Sequence, residues 1–188
     1  MFAKIHRIQK YGRRGGGDII DSNIYILYCL THKTEQVQRV LKRHGIVSYI
    51  PRMEKYIRSI DKVVDDVVMF PGYLFVESDL DQADFTRSIR QMNDEKNGII
   101  RELKDQGVSA LTEEEKEFYH ILFDDHYLLK MSYGYREGSR TLVYNGPLLQ
   151  LRDDITKVDR KNGVAYLKQQ FMHRNIQAGL LETKEIHF

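Results

Sequence analysis

From Ile24 the run Ile-Tyr-Ile-Leu-Tyr-Cys-Leu is almost unbroken in apolar, strand-forming residues, the pattern of a strand covered on both faces. The period then changes. Val37, Val40, Leu41 and His44 recur at i, i+3, i+4 and i+7, which predicts an amphipathic helix with Thr31 or Thr34 capping its start and Gly45 ending it. Residues 46–50 predict a second strand, stopped by Pro51. Arg52 to Asp66 is heavily charged with scattered Val and Ile, which suits a projecting hairpin or loop. Val67 to Val76 is apolar again, but Pro71-Gly72 cannot sit inside a regular ladder and forces a bend. Phe85, Ile89 and Met92 mark a second helix, Gly98 to Leu103 a short strand, and Thr112-Glu-Glu-Glu115 a capping box that opens a third helix with Phe118, Ile121 and Leu122 inward. These elements predict a first domain built as a mixed sheet with helices packed on it.

After residue 130 the pattern shifts. Residues 131–136, with Gly134 and no clear periodicity, are expected to be a linker. Beyond them, Gly138, Asn145-Gly146-Pro147, Lys161-Asn162-Gly163 and Gly179 punctuate the short runs Thr141–Tyr144, Ile155–Val158, Val164–Leu167 and Ile176. Strands this short and this regularly interrupted predict a small closed barrel over 137–188. At the other end, residues 1–21 combine Lys4, Arg7, Lys10, Arg13 and Arg14 with three consecutive glycines and read as a flexible basic arm. Those glycines lack the Gly-Lys-Ser/Thr ending of a phosphate-cradling loop.

Charge changes this picture more than composition does. The 188 residues sum to only +2. Yet residues 1–58 carry twelve basic and four acidic side chains, residues 59–135 eight and seventeen, and residues 136–188 nine and six. A basic end beside an acidic middle points to a polyanionic partner for part of the surface. The basic candidates are Lys33, Arg39, Lys42, Arg43, Arg52, Lys55 and Arg58, residue types that meet a nucleic acid through its phosphates. Lys157, Arg160, Lys161 and Arg174 form a weaker second set.

Other chemistries are poorly supplied. With 41% apolar and 11% aromatic residues the chain can bury a core. No stretch has the roughly 18 uncharged residues of a membrane span, so a cytoplasmic protein with no membrane partner is expected. The single cysteine, Cys29, makes neither an internal disulfide nor a multi-cysteine zinc site, and its apolar strand suits an inert thiol better than a nucleophile. His120, Asp124, Asp125 and His126 cluster near the end of the third helix, where His120 and Asp124 would share a face, but no further ligand pattern accompanies them. No enzyme activity, cofactor or metal is expected.

Three segments together carry a family resemblance: Ile24-Tyr-Ile-Leu-Tyr-Cys29 before an amphipathic helix, Phe70-Pro-Gly-Tyr-Leu-Phe-Val-Glu77, and Glu137-Gly-Ser with Val143-Tyr-Asn-Gly-Pro147 and Lys157-Val-Asp-Arg160. Over residues 22–188 the chain resembles the NusG family of transcription elongation factors, and within it the specialised antiterminators of the RfaH and LoaP kind. The resemblance implies an α+β fold, with a NusG N-terminal-type domain over 22–130 and a small SH3-like KOW β-barrel over 137–188. It implies a monomer that docks on the clamp helices of bacterial RNA polymerase through Tyr28, Phe70, Tyr73 and Phe75. Docking would favour the elongating state and suppress pausing or termination, with recruitment by non-template DNA or a nascent RNA hairpin. It implies a ribosomal or Rho partner for the barrel.

Two departures stand out. Where KOW repeats carry Gly-x-x-Gly after Gly-Pro, this chain has Gln150-Leu-Arg-Asp153, and the His-Thr-Thr-Thr stretch that gives RfaH a second polymerase contact is replaced by Asp84-Phe-Thr-Arg87, leaving Thr86 and Arg87 as candidates there. The competing reading is a KOW-containing RNA-binding or ribosome-associated protein that acts away from polymerase.

Overall fold

The computed structural model describes residues 22–92, 97–104, 107, 110–138 and 140–183. The basic arm expected over 1–21 lies outside the described residues. Two compact bodies share the chain, and they are not consecutive segments. Among the described residues, one comprises residues 22–51 and Phe70–Lys116; the other comprises Arg52–Met69 and residues 117–183.

The first body is a four-stranded antiparallel sheet with helices. Its strands are β1 (Asn23–Cys29), β2 (Val47–Tyr49), β5 (Tyr73–Ser78) and β6 (Ile99–Glu102), in the order β2-β5-β1-β6. As a central strand β1 buries Ile24, Tyr25, Ile26, Leu27 and Cys29, which is why its sequence is apolar on both faces. Helix α1 (Thr34–Arg43) buries Val37, Val40 and Leu41. Its start differs from expectation. Neither threonine caps it; a 3-10 turn over Thr31–Lys33 leads in, and the Thr34 hydroxyl instead donates back to the Thr31 and Leu30 carbonyls. His44 is exposed just past the end, and Gly45 follows at φ +72°, a left-handed stop.

Helix α2 (Gln82–Gln91) is capped by Asp81, whose carboxylate accepts from the Asp84 amide at 2.9 Å, and buries Phe85 and Ile89. Phe85 lies flat against Tyr25 with ring centroids 3.9 Å apart. Helix α3 (Glu113–Leu122) opens on the expected capping box. Thr112 Oγ1 accepts from the Glu115 amide at 3.2 Å, and Glu115 Oε2 accepts from the Thr112 amide at 2.9 Å.

In the second body, β3 (Arg52–Ile57) and β4 (Lys62–Val68) form the charged hairpin. It does not simply project. β3 pairs in parallel with the short β7 (Leu128–Leu129), and Glu54 Oε2 accepts the Met131 amide at 2.6 Å. Close approach is secured by glycine. A Cβ on Gly179 would meet Met131 Sδ at 2.5 Å and the Glu54 carbonyl at 3.1 Å, and one on Gly163 would meet Leu181 and Tyr56. The hairpin expected to belong to a continuous 22–130 domain is thus built into the C-terminal body.

The remaining strands are β8 (Ser132–Glu137), β9 (Arg140–Asn145), β10 (Ile155–Asp159), β11 (Val164–Phe171) and β12 (Arg174–Thr183), in the order β10-β11-β12-β8-β9 with β12 and β8 parallel. Residues 131–136, expected as a linker, are therefore mostly strand β8. Gly134 is not a flexible joint but a strand glycine, and a Cβ there would sit 2.8 Å from the Leu142 carbonyl across the ladder. The departure at 150–153 also resolves. Two 3-10 turns, Pro147–Leu149 and Arg152–Asp154, are joined through Gln150 and Leu151 at negative φ, and Leu148 and Leu151 are buried as anchors. No glycine is needed there.

Candidate functional site

The motif Phe70-Pro71-Gly72-Tyr73 is a tight turn delivering the chain into β5. The Tyr73 amide donates to the Phe70 carbonyl at 3.0 Å, with proline and then a left-handed glycine (φ +86°) between them, as in a type II turn. The Cys29 amide in turn donates to the Gly72 carbonyl at 2.7 Å and ties the end of β1 to the turn. A Cβ on Gly72 would meet the Cys29 carbonyl at 2.9 Å and the Tyr28 ring at 3.2 Å. This glycine lets two aromatic strands come together at their ends.

What they present is an aromatic row. Tyr28 of β1 stands directly opposite Tyr73 of β5, with ring centroids 5.0 Å apart, and both rings are half-buried. Phe70 is also half-buried, its ring 6.3 Å from Phe75. Phe75 itself is not a surface ring. It is 0% exposed, packed between Phe70 and Tyr49, because it sits mid-strand with β1 on one side and β2 on the other. Its assignment as a docking residue is therefore corrected: it supports the row from beneath.

Two residues that the pattern did not reveal complete the arrangement. Tyr49 backs Phe75 at 5.5 Å, and Arg101 of β6 stands opposite Tyr28 on the side away from Tyr73. Arg101 became legible only through the β1–β6 register, which is shifted by an irregularity between Tyr28 and Cys29.

The second candidate contact is engaged within the molecule. The Thr86 hydroxyl donates to Glu102 Oε2 at 2.8 Å, and the Arg87 guanidinium pairs with Asp84 one helical turn away. The basic candidates divide between the two bodies. Arg39, Lys42 and Arg43 are exposed on α1, and Lys33 donates to Asn97 at 3.0 Å. Arg52, Lys55 and Arg58 belong to the hairpin, where Arg52 pairs with Asp66 at 2.9 Å and Arg58 is exposed at the tip. The hairpin over 52–68 carries four basic and four acidic side chains, so its outgoing cations are balanced by the returning strand. On α1 and its lead-in turn, by contrast, Lys33, Arg39, Lys42 and Arg43 face only Glu35.

The remaining reactive groups have structural jobs. Burial pushes the Cys29 thiol up to about 12, which keeps it protonated and unreactive at neutral pH. Asp124 lies beyond the end of α3, so it shares no helical face with His120; its carboxylate instead accepts the His126 and Leu128 amides at 2.9 and 3.1 Å and pairs with Lys130. Partial burial pushes this carboxyl up, but the two amides and Lys130 outweigh it and hold it below the ordinary 3.8. Because the depressed group belongs to the folded state, its contribution is present above 3.8 and fades as pH falls through the lower folded-state value. Asp124→Asn should lower stability by about 1 kcal/mol at pH 6 and flatten the loss of thermal stability on acidification to pH 3, read by thermal unfolding at stepped pH. An unchanged acid slope would remove Asp124 from the pH response. Among the described residues, no group of three His, Cys, Asp or Glu side chains is placed to hold a metal ion.

The family model described as transcription termination factor nusG matches residues 22–123. The chain belongs to the NusG family. Members of the NusG family are transcription elongation and termination factors that bind RNA polymerase, and they are not enzymes. The NusG match covers β1 through α3, so it contains the aromatic row entire. No curated protein matches the chain. No helix among the described residues is long and apolar enough to cross a membrane.

Proposed function

We propose that the chain is an antitermination factor of the RfaH and LoaP kind, which docks on the clamp helices of RNA polymerase through Tyr28, Tyr73 and Phe70 and suppresses pausing or termination. The observation that carries this reading is the cross-strand Tyr28–Tyr73 pair, left half-buried beside the Pro71-Gly72 turn. Two large rings at the end of a rigid sheet are the kind of anchor that dominates binding energy at protein interfaces.

No chemistry is required of the factor. Binding one polymerase state more tightly than another shifts their populations by the difference in affinity, and a few kcal/mol suffices. Non-template DNA or a nascent RNA hairpin would recruit the factor through the exposed α1 cations Arg39, Lys42 and Arg43, with salt-sensitive affinity. The C-terminal sheet, in this reading a KOW barrel, contacts the ribosome or Rho.

The test is transcription through a terminator with purified polymerase, alongside direct binding. Tyr28→Ala and Tyr73→Ala should each weaken polymerase binding about thirtyfold or more and abolish read-through while leaving the unfolding midpoint nearly unchanged. Full binding by both variants would overturn the docking assignment.

A further inference from the structure

We infer that Arg101 sets the specificity of the aromatic row by pairing with a carboxylate on the helical partner that docks there. The inference rests on the docking reading above and adds to it the charge chemistry of the partner. Tyr28 has Tyr73 opposite it on β5 and Arg101 opposite it on β6, and residues directly opposite across a ladder leave the same face. The row is therefore ring, ring, cation.

Its length suits a helix lying across the strands. Three neighbouring strands at about 4.8 Å spacing span roughly 10 Å, close to two helical turns of about 5.4 Å each. A partner helix can thus set apolar side chains over Tyr73 and Tyr28 at i and i+3 or i+4, and a third position at i+7 over Arg101.

That third position calls for an acid. Arg101 is exposed, with no ion pair or hydrogen bond among the described residues. Its sequence neighbour Glu102 stands opposite Leu27 and is bonded to Thr86 on the other side of the sheet. Among the described strand residues, the acid on the same face of the sheet is Glu77, which stands opposite Ile24, four residues or roughly 13 Å along β1 from Tyr28. A guanidinium with no counter-charge among the described residues, beside two rings, complements a carboxylate, which it can bind with both arms of its fork. A nucleic-acid backbone would call for several cations along the row, and there is one.

The experiment measures equilibrium binding of the full chain to purified RNA polymerase, with and without a nucleic-acid scaffold, at low and moderate salt. Arg101→Ala should weaken binding about fivefold and flatten its salt dependence, and Arg101→Glu should weaken it more than about tenfold, both with wild-type unfolding midpoints. Reversing one acidic residue on the clamp helices to lysine should restore the Arg101→Glu variant. If both Arg101 variants bind as tightly as wild type while Tyr73→Ala does not, the inference fails and docking stands. If Tyr28→Ala and Tyr73→Ala also bind normally, the docking reading itself fails. A loss confined to scaffold-loaded polymerase would mean that Arg101 reads nucleic acid, which overturns the inference.

Discussion

Truncating Phe75 to alanine is expected to cost about 3–5 kcal/mol and to lower the unfolding midpoint steeply, whereas Tyr73→Ala, two residues away, should leave the stability within about 1 kcal/mol of wild type. Phe75 is wholly enclosed and touches the rings of both Tyr49 and Phe70, so its removal leaves a cavity that a well-packed sheet cannot collapse to fill. Tyr73 is half-exposed at the end of the sheet, where its ring meets Tyr28. Denaturant titration of the two variants side by side decides the matter. A Phe75→Ala protein as stable as Tyr73→Ala would mean that the ring is not enclosed in solution and belongs to the surface row after all.

The second large effect is expected at Gly146. Its backbone, at φ +91° and ψ 179°, occupies a region open essentially only to glycine, and a Cβ would lie 2.6 Å from Ser132 Cα and 2.8 Å from the Met131 carbonyl. Those are backbone atoms of the neighbouring strand and cannot swing aside. Gly146→Ala should therefore cost about 3 kcal/mol or more, combining backbone strain with displacement of β8, and should also disturb the Leu148 amide's bond to Ser132 Oγ. Gly138 provides the control: its φ is +60°, yet nothing lies within 4 Å of a Cβ, so Gly138→Ala should cost only about 1 kcal/mol. Equal costs at the two sites would show that strain alone matters and that the close approach relaxes freely.

The parts of this molecule that were legible in its sequence are those whose cause is local. The apolar run of β1, the 3.6-residue period of α1 and the Thr112–Glu115 box each contain their own reason, and they formed where the pattern put them. The Pro71-Gly72 bend was equally readable, since proline and a left-handed glycine leave the chain little choice. What stayed hidden depends on partners far along the chain. Strand alternation shows that Tyr73 and Phe75 share a face but not that the middle of the face is covered and its end open. Gly134 reads as a joint until its cross-strand neighbour is known, and Arg101 reads as a surface charge until the register sets it beside Tyr28.

The bond between Glu54 and Met131 closes a span of 77 residues, and most of the first body is threaded through that span. During synthesis the hairpin therefore emerges well before the strands it needs, and its pairing with β7 must wait until the chain past residue 129 is free. Contacts of such long range slow folding. A fragment cut between residues 130 and 137 would split this body and leave the apolar flank of β3 without its cover. Because segments of the two bodies alternate along the chain, neither a single truncation nor a circular permutation separates them.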